Sequence, residues 1–361
     1  MLRELEFTEL SWSTAVCRAD EITVTVPGYV AGAEGLRGLA VPRRTAVSVV
    51  RDDGVCLAAG VTGQPVASES DDGTPRLELT ARGIESVFEK RVILPPGYGD
   101  LVDANGYPDP RYDTRISGVD YGTMMQRLYR QAVAHPGGGL PLAWEEPRAG
   151  IRSNAWVAVD GKRVQEAVED LSELADGVEW DWVPRVDEAD RLSWALITGT
   201  AAQPEISSAI GHYWVAGGAA PAVRKLREKT NPEFLASAAF FLGGKNDDRV
   251  LISQRTDPSL LDEGFPLAEV WDTSHSTTSD QAALNGWADA ALRDAEAPVQ
   301  FWTFDVRADR AHGLRHGDWC VIEVSDHWWI PDGAYQRRIV EVSGGVESAW
   351  LGVTVSGMQE W

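Results

Sequence analysis

Two histidines, His312 and His316, are spaced so that both would lie on one face of a helix, as metal ligands often do. Gly313 and Gly317 interrupt any such helix, and no glutamate follows the first histidine, as the metalloprotease pattern requires. The segment is better interpreted as a solvated loop that leads into a strand at Trp319. No metal-binding residue is therefore predicted.

Carboxylates beside tryptophans form a second candidate site, because a glycosidase works with two acidic residues. The best candidates are the segments Glu179-Trp180-Asp181-Trp182 and Asp326-His327-Trp328-Trp329. The chain has 55 acidic residues, so several will lie near tryptophan by chance. A carbohydrate-active or cell-wall-binding protein that uses an acidic pair and tryptophan platforms is the alternative function.

Other sequence motifs of catalysis are missing. The chain has no Gly-x-Ser-x-Gly, no His-Glu-x-x-His and no phosphate-binding loop that ends in Gly-Lys-Ser or Gly-Lys-Thr. The glycines at 137–139 and 217–218 lack the strand–helix context of a nucleotide-binding motif and are interpreted as loops. We therefore predict no catalytic residue, no cofactor and no enzymatic activity.

The composition indicates a folded protein of more than one unit. The chain has 361 residues, 43% of them hydrophobic and 24% charged, so two or three packed units are expected. The formal net charge of −22 disfavours direct DNA or RNA binding, because such binding normally uses lysine and arginine to displace counterions. The charge suits a soluble surface, and also a channel wall that DNA passes without binding.

The sequence has no evident signal for secretion or membrane insertion. Charges occupy residues 1–6, where a secretory signal would carry apolar residues, and the longest apolar-rich stretch, 234–242, is far shorter than the ~20 residues of a membrane helix. Cys17, Cys56 and Cys320 are too few and too scattered for a disulfide framework or a zinc site. They are interpreted as small buried side chains in a protein that folds in the cytoplasm.

Alternating polar and apolar residues predict strands in the first hundred residues. These runs are Glu21–Val26, Ala46–Arg51, Val55–Val61 and Arg76–Arg82. The turn signal Asp52-Asp53-Gly54 joins the second run to the third. The meander ends near Pro95, and a loop rich in glycine, aspartate, tyrosine and proline follows.

The period then changes to that of amphipathic helices. Three helices are predicted, at Asp120–Ala134, Val164–Ala175 and Ser279–Arg293. Asp120 is a plausible N-cap of the first helix, and Gly177 is the natural stop of the second. Thr278 and Gln281 have the spacing of a capping box at the start of the third helix.

Hairpins and C-terminal strands complete the pattern. Trp180 and Trp182 alternate with acidic neighbours, and Leu192, Trp194 and Leu196 repeat this alternation, so the two sets can face each other across paired strands. Another hairpin is predicted around residues 243–248. The last predicted strands are Gln300–Val306, Trp319–Val324, Gln336–Val342 and Ala349–Val355.

This order of elements predicts an α+β, β-dominated fold with about three helices and barrel-like or sandwich-like sheets. Residues 1–115 are expected to form a first β-barrel domain, and residues 116–235 a mixed α/β domain with two helices and the tryptophan-rich hairpin. Residues 236–361 are expected to form a second β-barrel domain with one helix, to which earlier segments can contribute.

A resemblance to a known family rests on segments that span most of the chain. They are Glu21–Val26, Ser48–Gly60, Leu77–Pro95, the helix at Val164 with Trp180 and Trp182, Asp257–Val270, Thr278–Leu284 and Gly317-Asp318. In this order they resemble siphophage minor tail proteins of the tail-hub type. Specificity comes from the order of the segments and not from any single motif.

The resemblance implies a structural protein, a trimeric hub at the tip of a non-contractile phage tail. Two tail-tube-like barrel domains in each subunit would give three chains a pseudo-sixfold ring, which adapts a sixfold tube to a threefold tip. The implied partners are other copies of the chain, the distal tail protein, the tape measure protein and other tail-tip proteins. The implied location is the virion tail tip, after assembly in the host cytoplasm, with DNA passing through the channel.

Tryptophans are candidate contact anchors, because indoles supply large contact areas at interfaces. We predict subunit contacts at Trp328, Trp329 and Trp361, with core packing as the alternative for Trp328 and Trp329. A further hypothesis is that the acidic surplus faces the channel and repels DNA.

Overall fold

The computed structural model of this chain describes residues 4–32, 36–71, 73–174, 176–208, 210–218, 221–231, 235–246, 249–273, 275, 278–295, 299–345 and 349–356. The strands are β1 (Glu9–Ala15), β2 (Glu21–Pro27), β3 (Ala46–Val50), β4 (Cys56–Thr62), β5 (Val66–Glu69), β6 (Pro75–Arg82), β7 (Thr114–Val119), β8 (Leu142–Ala143), β9 (Ala149–Trp156), β10 (Trp180–Val186), β11 (Leu192–Thr198), β12 (Gly211–Ala216), β13 (Val223–Asn231), β14 (Ala238–Asn246), β15 (Arg249–Thr256), β16 (Glu269–Asp272), β17 (Val299–Arg307), β18 (Trp319–Val324), β19 (Gly333–Gly345) and β20 (Trp350–Ser356).

The helices are α1 (Gly28–Gly32), α2 (Leu36–Leu39), α3 (Glu85–Phe88), α4 (Tyr121–Val133), α5 (Val164–Ser172), α6 (Ser259–Asp262) and α7 (Gln281–Asp294). Strands account for 43% of the structure and helices for 18%, so the predicted α+β, β-dominated class is confirmed.

Six strands close a barrel in the order β18, β12, β13, β17, β20 and β19, because β19 also pairs with β18. Each strand sends apolar side chains into the interior, including Trp214, Val223, Trp302, Phe304, Ile322, Ile339 and Val353. The interior is therefore a packed core and not a pore, as expected for a barrel of few strands.

Strand β19 connects this barrel to the N-terminal half of the chain. Its 13 residues pair with β18 over residues 333–338, with β20 over 338–343 and with β1 over 341–345. From β1 the sheet continues through β2, β6, β4 and β3, and β5 also pairs with β6. Barrel wall and N-terminal sheet are thus one hydrogen-bonded surface.

The middle segment packs two helices against the tryptophan hairpin. Helices α4 and α5 confirm two of the predicted helices, and Asp120 caps α4 as expected, accepting a hydrogen bond from the Thr123 amide at 2.8 Å. In the hairpin of β10 and β11, Trp182 lies opposite Leu196. The apolar faces of these elements form one core, which includes Met124, Met125, Leu128, Val168, Trp180, Trp182 and Trp194.

Two predicted helix ends are corrected by the structure. Helix α5 ends at Ser172 and not at Gly177, because a tight turn follows in which the Gly177 amide donates to the Leu174 carbonyl at 2.7 Å. Helix α7 begins at Gln281, so the capping box of Thr278 and Gln281 does not form.

Asp280 caps α7 in place of that box. Its carboxylate accepts hydrogen bonds from the amides of Ala282 at 2.7 Å and Ala283 at 3.4 Å. An aspartate directly before the helix is among the strongest N-caps.

Strand pairing runs across the boundaries predicted for the domains. Strands β12 and β13 precede residue 235, yet they complete the barrel with β17 to β20. A separate small sheet, β15-β14-β16, packs on α7 through Phe241, Leu284 and Trp287. The boundaries at residues 115 and 235 stay a prediction.

The observed cap of α7 can be tested by substitution. Asp280→Ala should lower the free energy of unfolding by about 1 kcal/mol, because two helix amides lose their acceptor. Thr278→Ala is the matched control and should change it by less than about 0.3 kcal/mol. Urea unfolding followed by circular dichroism measures both, and a larger loss in the threonine variant would contradict the assignment.

Candidate assembly interface

One face of the long sheet is mainly polar, with Phe301, Trp350 and Val66 as apolar exceptions. The strands β13, β17, β20, β19, β1, β2, β6 and β5 are neighbours in this order, and every pair is antiparallel. Alternate residues point into the core, and the residues between them lie on the opposite face. That face is rich in hydroxyl side chains, including Ser11, Ser13, Thr23, Thr80, Thr303, Ser343 and Thr354.

The polar face carries charges of both signs. Its carboxylates include Glu9, Glu21, Glu78 and Glu341, and its basic side chains include Arg76, Arg82, Arg227 and Lys229. The acidic surplus of the chain is therefore not concentrated here. The hypothesis of an acidic channel wall gains no support from this face.

Both lateral edges of this eight-strand run are open in the part of the chain that the structure describes. Strand β12 pairs with β13 only through Ala216 and Val223, so the remainder of β13 has β17 on one side and no strand on the other. At the opposite end, β5 pairs only with β6, and all its residues are exposed. Unpaired edges offer backbone donors and acceptors to another chain.

The loop between β18 and β19 contributes one side chain to the barrel core and exposes two indoles. Ile330 is buried in the barrel core, whereas Trp328 is 86% exposed and Trp329 is 63% exposed. The two indole ring centroids lie 5.6 Å apart. Core packing, the alternative considered for these tryptophans, therefore does not account for their position, and the predicted subunit contact stays a prediction. Trp361 lies outside the described residues.

Trp329 is held in place by a carboxylate on β13. Glu228 accepts hydrogen bonds from Nε1 of Trp329 and from Nε1 of the buried Trp302, each at 3.0 Å. Nδ1 of His327 accepts the amides of Trp329 at 3.3 Å and Ile330 at 3.0 Å. The loop is thus fixed by specific bonds, and it holds the exposed indoles next to the open edge of β13.

Glu179 and Asp181, the acidic residues of the first candidate glycan site, each contact a basic side chain of another segment. Both oxygens of Glu179 accept from the Arg338 guanidinium at 2.5 Å, and Asp181 contacts His316 at 2.9 Å. Trp180 is 1% exposed and Trp182 is 2% exposed, so neither indole can serve as a platform for a sugar. The first of the two candidate segments therefore does not form the predicted glycan site.

The two histidines of the candidate metal site are not brought together. His312 lies on an exposed loop, as the sequence indicated, while His316 is bonded to Thr14 at 3.0 Å and to Asp181. Burial opposes protonation of His316, but the Asp181 carboxylate outweighs it and raises the pKa of the imidazole. Among the described residues, no cluster of three or more potential metal ligands occurs.

A buried carboxyl group lies beside this contact. Asp20 accepts the Ala59 amide at 3.1 Å, and burial, followed by repulsion from Asp181, raises the pKa of Asp20 to about 8. Glu85 belongs to the same region, where burial and then Asp20 raise its pKa well above the usual value. Asp20 and Glu85 therefore hold their protons more tightly than exposed carboxyl groups do.

Cys320 is buried, as predicted from the sequence, whereas Cys17 and Cys56 are only partly buried. Burial raises the pKa of Cys17 to about 11 and the pKa of Cys56 and Cys320 to about 12, which makes their thiols unreactive at neutral pH. No helix of the described part is both long and apolar enough to span a membrane.

The fold matches solved structures of phage tail proteins. The 43 kDa tail protein of prophage MuSo2 from Shewanella oneidensis is 11% identical with a TM-score of 0.59, and the match covers 98% of this chain and 94% of that chain. A tail protein from Neisseria meningitidis MC58 is 12% identical with a TM-score of 0.56, covering 99% and 94%. The E. coli c3393 protein, a component of the type VI secretion system, is 10% identical with a TM-score of 0.50, covering 99% and 75%.

No protein-family model and no curated protein matches the sequence. At these low identities the structural likeness shows the fold alone. The chain has the fold of phage tail proteins, which confirms at that level the resemblance found in the sequence.

The charged edges of the sheet are not predicted by the patterns described above. Strand β13 contains Arg224, Lys225, Arg227 and Lys229 in nine residues, within a chain of net charge −22. This cluster of positive charge in an acidic chain is the feature of the sequence that could have indicated a charged strand. The segment does not alternate clearly between polar and apolar residues, because the pairing between β13 and β17 is irregular between Arg224 and Arg227.

The raised pKa of Asp20 predicts how stability depends on pH. The folded protein holds this proton more tightly than the unfolded chain, so stability falls as pH rises from about 4 to about 8. His316 acts in the same direction, because its folded pKa is also raised.

Asp20→Asn keeps an acceptor for Ala59 and removes the ionisable group. We expect it to raise the free energy of unfolding at pH 8 by on the order of a few kcal/mol, and by clearly less at pH 5, where only part of the pH-dependent loss has occurred. Asp52→Asn, at an exposed turn, is the control and should leave the pH profile unchanged. Equal effects of Asp20→Asn at both pH values would show that Asp20 is ionised in the folded protein.

Proposed function

We propose that this chain is the hub subunit at the tip of a non-contractile phage tail. Three copies would form a ring that adapts the sixfold tail tube to a threefold tip. The observation that carries the proposal is the antiparallel eight-strand run with a polar face and two open edges. Such a sheet is suited to continue from one copy into the next, and the tail-protein fold supports this use.

Closure into a ring is favoured by the way the sheet is built. A contact between two different edges is heterologous, and heterologous contacts close into rings when the rotation between copies permits. The core side of the sheet is covered by apolar packing, so the hydroxyl-rich side is the one that can face a water-filled channel. DNA would pass along this mixed-charge wall without binding sites built for it.

The proposed partners follow from this role. The ring would stack on the distal tail protein, contact the tape measure protein and support other tail-tip proteins, after assembly in the host cytoplasm. Trp328 and Trp329 lie beside the β13 edge, so the neighbouring copy that meets this edge would also cover the two indoles. Burial of exposed indoles is a common source of binding free energy at interfaces.

The ring can be tested with the purified chain. We expect light scattering to give three times the monomer mass at high protein concentration, and negative-stain images to show a threefold ring with a central channel. A particle that stays monomeric at every accessible concentration would contradict the proposal, as would a closed particle without a channel.

The tryptophan contact is tested separately. Trp328→Ala should weaken ring formation at least about tenfold while leaving the unfolding free energy nearly unchanged, because the indole is exposed in the single chain. Tyr107→Ala removes another exposed aromatic ring and is the matched control. Unchanged association of the Trp328 variant in sedimentation experiments would remove this residue from the interface.

A further inference from the structure

The open edge of β13 carries unpaired positive charge. Arg224 and Lys225 both pair with the same carboxylate, Asp305, at 3.0 Å and 2.9 Å, so the three groups together keep one positive charge. Arg227 and Lys229 are exposed, and neither takes part in an ion pair among the described residues. Arg227 and Lys229 are therefore the cations of this strand without a carboxylate partner, and they lie on the half of β13 that has no neighbour on its outer side.

The open edge of β5 carries the opposite charge. Glu69 ends the strand, and Asp71 follows it in the turn that leads to β6. Both carboxylates are exposed, and within the described part of the chain neither belongs to an ion pair. In one copy the two edges are separated by the whole width of the sheet, so these charges cannot neutralise each other internally.

Strand direction favours contact between these two unlike edges. Because all pairs from β13 to β5 are antiparallel and the run has eight strands, its first and last strands point in opposite directions. Placing β13 of one copy beside β5 of the next therefore continues the antiparallel order. Two β13 edges brought together would instead place like charges side by side, which is unfavourable.

The two edges are also displaced along the strand direction. One row of paired residues crosses the sheet through Arg224, Asp305, Gly352, Ser343, Ser13, Glu21 and Arg82. Strand β5 does not reach this row, since it pairs with β6 only over Pro75–Glu78. Such a stagger is what the tilted strands of a closed barrel require.

We infer that neighbouring copies meet head to tail, with Arg227 and Lys229 on β13 of one copy facing Glu69 and Asp71 on β5 of the next. This inference rests on the proposed ring and names the surfaces that close it. Opposite charges fix which edges meet and speed their encounter, while strand pairing and the nearby indoles add contact area. The contact should therefore weaken as salt screens the charges.

The inference is tested by exchanging the charges of the two edges in the full chain. R227E/K229E should raise the dissociation constant of the ring at least about tenfold near physiological salt, because attraction becomes repulsion. E69K/D71K should do the same. The fourfold variant that combines both changes should recover the assembly of the original chain, since unlike charges again face each other.

The control for the loss of two positive charges is K90E/R127E, at exposed positions away from both edges. It should assemble normally. The fold of every variant is checked by its thermal unfolding, and we expect the defects of both double variants to shrink in 1 M NaCl.

The possible outcomes separate this inference from the proposed function. If the original chain forms threefold rings and both double variants form them equally well, the ring stands, and the charges only keep a free strand edge soluble. If both double variants fail and the fourfold variant also fails, the two edges do not face each other. If the original chain forms no ring at any concentration, the proposed function and this inference are both overturned.

Discussion

The connection between the barrel and the N-terminal sheet depends on β19, which pairs with two different strands along one of its sides. One side of this strand pairs with β20, while its other side pairs first with β18 and then with β1. The change falls where the pairing with β20 is irregular, between Ile339 and Glu341, and such irregularities bend and twist a strand. Without this branch point the barrel could close, but it could not share its wall with the N-terminal sheet.

Buried polar contacts fix the middle segment onto that branch. Arg338 of β19 binds Glu179 and the carbonyl of Ile206, and His316 joins Thr14 of β1 to Asp181 of β10. Buried ion pairs contribute little net stability, but an unpaired partner is costly. These contacts link the three segments to one another, and the raised pKa of Asp20 reduces the charge that is buried beside them.

Local patterns in the sequence were sufficient for much of the fold and for little of the interface. The helices α4 and α5 and the tryptophan hairpin follow from periodicity, because their apolar stripes are uninterrupted. The end of α5 and the start of α7 differ from the prediction. The start of α7 is set by the side chain that accepts hydrogen bonds from the first helix amides, and that side chain is Asp280. The open edges could not be found this way, since an edge is defined by the strands that are absent from its side. The position of Trp328 likewise depends on where the loop after β18 folds back, which no local pattern reveals.

The packed interior of the six-strand barrel decides where a passage can exist. Trp214, Trp302, Phe304 and Ile330 fill it. Within the described residues, the barrel of a single chain therefore offers no passage. In the proposed ring the bore belongs to no single protomer, and its width is set by the number of copies and the curvature of their shared sheet. Substitutions inside the barrel would then alter the stability of the protein without altering the bore. The residues of the hydroxyl-rich face would determine how DNA interacts with the channel wall.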